Sequence, residues 1–212
     1  MYFFATKNSI LRLGKTAWDG RSVLRTCTNG SSELMSNLSM SIVGIFYNAQ
    51  LMRYAGENGV AAYGVLMYVN FVFLAIFIGY SIGSAPVISF HYGADNRVEL
   101  KNLLRKSFVV IGLTSLAMLA LGLVLGKPLS RIFVSYDKAL FEMTARGFRI
   151  FSFSFLFAGL AIFGSSFFTA LNNGLVSAVI SFLRTLVFQV AAVLLLPVLF
   201  DIHGIWYSII VA

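Results

Sequence analysis

The chain has 212 residues, of which 58% are hydrophobic and 11% charged, with 21 phenylalanines, a formal net charge of +8 and a mean hydropathy of +0.85. Soluble domains carry about 25% charged residues, so too few charges remain here to coat a water-facing surface. An ordinary cytosolic enzyme, a disordered tail and a secreted disulfide scaffold are excluded on that ground. A bilayer crossing takes about 20 apolar residues, so the length holds roughly five to six spans of an all-α, polytopic transmembrane bundle.

In chain order, residues 1–25 are polar and basic (Lys7, Arg12, Lys15, Arg21 and Arg25 against Asp19) after a short apolar start that reads as the tail of a preceding helix. Apolar runs then predict helices over 26–52, 58–90, 104–126, 146–171 and 175–200, with a sixth, incomplete run over 204–212. The predicted connections are loops at 53–57, 91–106 and 127–149, the turn Asn172-Asn173-Gly174, and the turn 201–204. Lys127-Pro128 is the expected stop of the third span. Because the last run is too short to cross a bilayer, both ends read as truncations of a larger membrane protein.

The bases lie between apolar runs rather than in a surface patch, which favours membrane topology over nucleic-acid binding. With 1–25 cytoplasmic, 91–106 falls on the same side, and nine Lys/Arg face the cytoplasm against six on the other side. The lone Cys27 forms no internal disulfide, and no Cys/His cluster has metal-ligand spacing. HExxH, GxSxG, P-loop and CxxC patterns are all missing from the sequence, so no catalytic constellation, metal or cofactor is expected.

Polar residues inside apolar helices are the informative ones, because each is costly in lipid. Glu33, Asn37, Ser41, Gly44 and Asn48 are spaced 4, 4, 3 and 4. They fall on one helical face about 80° wide. This stripe reads as the wall of a substrate or ion pathway. The bland reading is interhelical hydrogen bonding, with Glu33 favoured by a helix N-terminus. In the second span Tyr63, Asn70, Phe77, Ser81 and Ser84 share a face, and Gly79-xxx-Gly83 before Pro86 suggests close helix packing or a hinge. Ser152, Gly159, Ser166 and Asn173 recur every seven residues as a packing seam. Arg184 lies on the face of Ser177 and Ser181, about 13–15 Å beyond the preceding turn. It reads as a pathway residue with a carboxylate partner, or as an arginine that snorkels.

Several stretches taken in order resemble the multidrug and toxic compound extrusion (MATE) family, nearest its MepA-like branch. They are Asn29-Gly-Ser-Ser-Glu-Leu through Asn48, Tyr54 to Gly64, Gly79 to Pro86 with His91 to Asn96, Ser166 to Gly174, Ile180 to Leu186 and Gly204 to Ser208. The resemblance implies two six-helix lobes related by an axis along the membrane normal. Residues 26–212 then correspond to the C-terminal lobe with its last helix truncated, and 1–25 to the cytoplasmic inter-lobe loop. The implied function is proton- or sodium-coupled antiport of amphiphilic cations out of the cell by alternating access. The implied setting is the plasma membrane, and the implied partners are the bilayer and the N-terminal lobe. In this picture Glu33, Asn37, Ser41, Asn48, Tyr63, Asn70, Phe77 and Arg184 line or border the pathway, and aromatic residues including Phe46 meet the apolar part of the substrate. One departure stands out: the NorM branch carries an acid near the position of Ala158 or Gly159, so no cation site carries over in this lobe. A lipid-linked or polysaccharide flippase of similar architecture, or a membrane scaffold subunit without transport, are the alternatives.

Overall fold

In the computed structural model the described residues are 18–211; the expectations for 1–17 and Ala212 lie outside them. Among the described residues there is no strand. The chain forms α1 (Gly20–Gly93), α2 (Arg97–Val134), α3 (Lys138–Phe151), a 3-10 turn (Ser152–Ser154) and α4 (Phe155–Ala170). These are followed by α5 (Gly174–Ser181), a π-helical stretch (Phe182–Phe188) and α6 (Gln189–Val211).

Helix α1 is a hairpin rather than one rod. Gly56 breaks it with φ 61° and ψ −154°, a conformation open to glycine at little steric cost. Across this break the rings of Tyr47 and Tyr63 stack with centroids 5.2 Å apart and planes 6° apart. A straight helix would separate residues sixteen apart by about 24 Å. Packing is so close beside the break that a Cβ on Gly59 would collide with Ala55. α6 folds likewise at Phe200–Asp201, where Asp201 takes φ 48° and the rings of Phe200 and Tyr207 approach to 6.2 Å.

Four helical units are long and apolar enough to cross a membrane: Gly20–Gly93, Arg97–Val134, Lys138–Ala170 and Gly174–Ile210. With the two breaks they make five long rods and a short sixth. Ser89 Oγ donates to the Ala170 carbonyl at 2.8 Å, and Asn29 Nδ2 donates to the Thr169 carbonyl at 3.3 Å. The start of α1, the α1–α2 turn and the α4–α5 turn therefore lie at one end of the bundle. Gly56, the α2–α3 turn and the α6 break lie at the other.

Charged segments expected as loops are helical. Helix begins at Gly20, capped by Asp19, within the expected 1–25 loop. Within 91–106 only 94–96 is non-helical, within 127–149 only 135–137, and 53–57 is a helix broken at one residue. α2 runs through Pro128 instead of stopping there. At 38 residues α2 is about 57 Å long, against about 30 Å of hydrocarbon. Charge thus marks where a helix leaves the lipid, not where it ends. The true turns use Asx chemistry. Asp95 and Asn172 take positive φ, and Asn96, Asp137 and Asn173 cap the following helices.

The core is aromatic and glycine-assisted. Tyr47, Leu51, Leu66, Phe148, Phe155, Phe163, Ile205 and Trp206 are fully buried. Gly126 receives Phe148, and Gly147 receives Leu66 and Trp206. Lipid is as apolar as leucine, so such close van der Waals approach replaces the hydrophobic effect as the force between helices. The expected seam holds at Ser152, against Gly122, and at Gly159, against Phe77. Asn173 is instead a helix cap. Gly79 and Gly83, expected in close packing, face open space: a Cβ at either meets nothing within 4 Å.

Candidate functional site

Leg one of α1 presents two faces. Ser39, Val43, Tyr47 and Leu51 are buried against the rest of the bundle. Glu33, Asn37, Ser41 and Asn48 are exposed on another. The stripe's polar side chains bond back to their own helix: Asn37 Nδ2 donates to the Glu33 carbonyl at 2.9 Å, Ser41 Oγ to the Asn37 carbonyl at 3.1 Å and Asn48 Nδ2 to the Gly44 carbonyl at 2.9 Å. These bonds tether the side chains, each Asn using one of its two amide N–H donors and Ser41 its hydroxyl. Asn37, Asn48 and Glu33 are exposed, and their amide and carboxylate oxygens are acceptors of the kind suited to a cation or to water.

Leg two differs. Tyr63 and Phe77 are buried, Phe77 with its ring against Gly159, and Asn70 is half-buried. The face carrying Tyr63, Phe77 and Ser81 is turned into the lobe, so Tyr63 and Phe77 are packing residues rather than exposed contacts in this arrangement. Phe46 is half-buried.

Arg184 sits in the π-helical stretch and is half-buried. Ten residues beyond Gly174, it lies about 15 Å along the rod. Among the described residues its guanidinium meets no carboxylate within ion-pair distance, and residues 1–17 contain no Asp or Glu. Of the two expectations for Arg184, the carboxylate partner is not formed among the described residues. π-Helical turns concentrate at functional sites, because the extra residue redirects a side chain.

One cluster escaped the sequence reading. Ser165 Oγ lies 2.7 Å from Ser177 Oγ and 2.9 Å from Ser181 Oγ, and Thr169 Oγ1 donates to Ser177 Oγ at 2.8 Å. This hydroxyl ladder pins α5 to α4 just before Arg184. A signal existed: Ser165 pairs with Ser181 and Thr169 with Ser177, mirrored about Asn173. Tyr47 makes another buried link, its hydroxyl 2.8 Å from Ser208 Oγ, which itself donates to the Ile205 carbonyl, and Tyr80 donates to Ser107 Oγ at 2.9 Å. Among the described residues no group of three or more His, Cys, Asp and Glu could hold a metal ion, and Cys27 is an exposed free thiol.

The family model MatE matches residues 34–194. No curated protein matches the chain. Among solved structures, the chain is similar to an outward-facing multidrug resistance MATE family transporter of the MOP superfamily, with a TM-score of 0.88 at 20% identity over 99% of this chain and 48% of that one. A MATE protein in a bent conformation matches with a TM-score of 0.89 at 20% identity, covering 99% of this chain and 47% of that one. A MOP superfamily transporter from Pyrococcus furiosus, described by a reverse polarity of its binding pocket, matches with a TM-score of 0.87 at 20% identity, covering 99% and 48%. The chain spans about half the length of the structures it matches.

Proposed function

Since the chain belongs to the MatE family, a fold of multi-pass membrane transporters, we propose that it forms the C-terminal lobe of a multidrug efflux transporter. That transporter exports amphiphilic cations by proton- or sodium-coupled antiport. The observation that carries this reading is the exposed stripe Glu33, Asn37, Ser41 and Asn48, which shares its helix with the exposed apolar residues Leu34, Leu38, Ile42 and Ile45. Bare in lipid, such a face is costly. Covered by a second lobe of similar size, it becomes one wall of a solvated central cavity.

The mechanism follows from the charge. The Glu33 carboxylate draws an organic cation to the wall, while the amide oxygens of Asn37 and Asn48 replace part of its hydration. A proton or sodium ion arriving at Glu33 neutralises the charge and weakens the hold on the cation. That competition couples the two fluxes. Rocking of the lobes then exposes the wall alternately to each side. The excess of basic residues at 1–25 and 91–106 supports a cytoplasmic placement for both and a plasma-membrane setting.

The test is ethidium efflux from cells carrying the complete two-lobed protein. Glu33→Gln is expected to lower efflux about tenfold or more, a loss of about 1.4 kcal/mol or more in the coupled step, while Glu57→Gln on the break between the legs leaves it unchanged. Equal effects from the two would remove the stripe's role. A second reading rests on Arg184. A half-buried guanidinium with no carboxylate suits an anionic headgroup and thus a lipid-linked flippase. If Arg184→Gln abolished movement of an anionic lipid while ethidium efflux was never present, that reading would replace the first.

A further inference from the structure

At the end of the bundle that carries the α1–α2 turn, a shallow open cavity of about 410 Å³ is lined by Lys101, Leu104, Arg105, Phe108 and Val109, all from α2. We propose that this is a binding site for one anionic phospholipid, with its phosphate on Lys101 and Arg105 and an acyl chain laid over Phe108, Val109 and Gly112. The inference is independent of what the protein transports.

Four observations carry it. First, the two cations stand one helical turn apart and both are exposed, with no ion pair to either among the described residues. Second, the nearby acids are otherwise disposed. Asp95 binds Arg97 at 3.1 Å, and Glu99 accepts from Asn102 at 3.4 Å. Glu99 also lies about 160° round the helix from Lys101. The positive face is therefore uncompensated by protein. Third, charge and apolar surface meet at the right level. The apolar run of α2 begins at Ser107, directly below Arg105, so the cations stand at headgroup height and the exposed Phe108 and Val109 at acyl height. Fourth, the apolar part has a shape. The Phe108 ring is held by an edge contact to Phe163 at 6.2 Å, and a Cβ on Gly112 would meet nothing within 4 Å. A fixed ring beside a glycine leaves a trough along the helix. A free phosphate would use only the upper half of this arrangement.

The test is native mass spectrometry of the 212-residue chain released from detergent containing phosphatidylglycerol or phosphatidylcholine. One phosphatidylglycerol is expected to be retained in preference to phosphatidylcholine. Lys101→Gln with Arg105→Gln is expected to weaken retention about thirtyfold, the loss of two interfacial cations. Gly112→Leu, whose Cβ would meet no atom within 4 Å and whose side chain would occupy the trough, is expected to weaken it severalfold. Lys127→Gln with Arg131→Gln at the opposite end is expected to leave it unchanged. Unaltered retention in the Lys101/Arg105 variant overturns the proposal. So does equal loss in the Lys127/Arg131 variant, which would mean diffuse attraction, or displacement by millimolar inorganic phosphate with no effect of Gly112→Leu, which would mean an ion site without a lipid.

Discussion

The two legs of α1 carry similar patterns and meet opposite fates. On leg one Glu33, Asn37, Ser41 and Asn48 form a polar stripe that is exposed. On leg two Tyr63, Phe77 and Ser81 share a helical face that is buried in the lobe, with Asn70 half-buried beside it. Helical periodicity groups residues on a face with equal success in both. It does not say which way the face points, because that depends on which neighbour offers a complementary shape. For Phe77 that neighbour is Gly159, which leaves room for the ring. For the leg-one stripe no neighbour among the described residues does so.

This contrast can be broken at several points. Phe77→Ala is expected to be the most damaging change for stability, about 3 kcal/mol or more, because it empties a filled slot on the buried face. Gly159→Leu should be comparably harmful, since any side chain there meets the Phe77 ring. Denaturant titration in detergent micelles measures both, and a loss below about 1 kcal/mol for Phe77→Ala would show that leg two is not held by this contact.

A smaller effect belongs to Tyr47→Phe. It keeps the stacked ring and removes only the hydroxyl that meets Ser208, so about 0.6–1 kcal/mol is expected by the same titration. Asn37→Ala and Asn48→Ala sharpen the comparison from the other side. Their side chains bond only to their own helix, so stability should change by less than about 0.5 kcal/mol while ethidium efflux by the complete protein falls. Destabilisation as large as that of Phe77→Ala would mark the stripe as a packing face.

The smallest effect is expected at the start of leg one. The hydroxyl of Ser22 at 2.6 Å and the backbone N–H groups of Ser22 and Arg21 hold the Asp19 carboxyl below its ordinary value of 3.8. A depressed carboxylate stabilises the folded state above the unfolded pKa and ceases to do so as pH falls through the folded one. The first turn of α1 should therefore fray only below about pH 4, seen as faster amide exchange at residues 21–23. Identical exchange at pH 6 and pH 3, after correction for intrinsic rates, would dismiss the cap.

Much of the fold was legible. The all-α class and the presence of helices long and apolar enough to cross a membrane were readable from the apolar runs, since lipid leaves the backbone no alternative to internal hydrogen bonding. Asn172-Asn173-Gly174 was readable as a turn because Asn tolerates positive φ. The connections were misread where charge was taken for loop. Lys101, Arg105, Lys127 and Arg146 all sit on helix. The hydroxyl ladder of Ser165, Thr169, Ser177 and Ser181 was hidden because single hydroxyls carry little meaning until a hairpin sets them opposite one another.

By itself the sequence determined the solvent of this protein, the class of its fold and which residues share a helical face, because composition and a 3.6-residue repeat are local properties. Only the tertiary structure decided which face turns inward, that Gly56 and Phe200–Asp201 fold single helical runs back on themselves, and that Arg184 lies without a carboxylate partner among the described residues. Those outcomes depend on pairs of residues far apart in the chain. In a membrane, where burial itself favours no face, the close fit of one helix against another makes the choice.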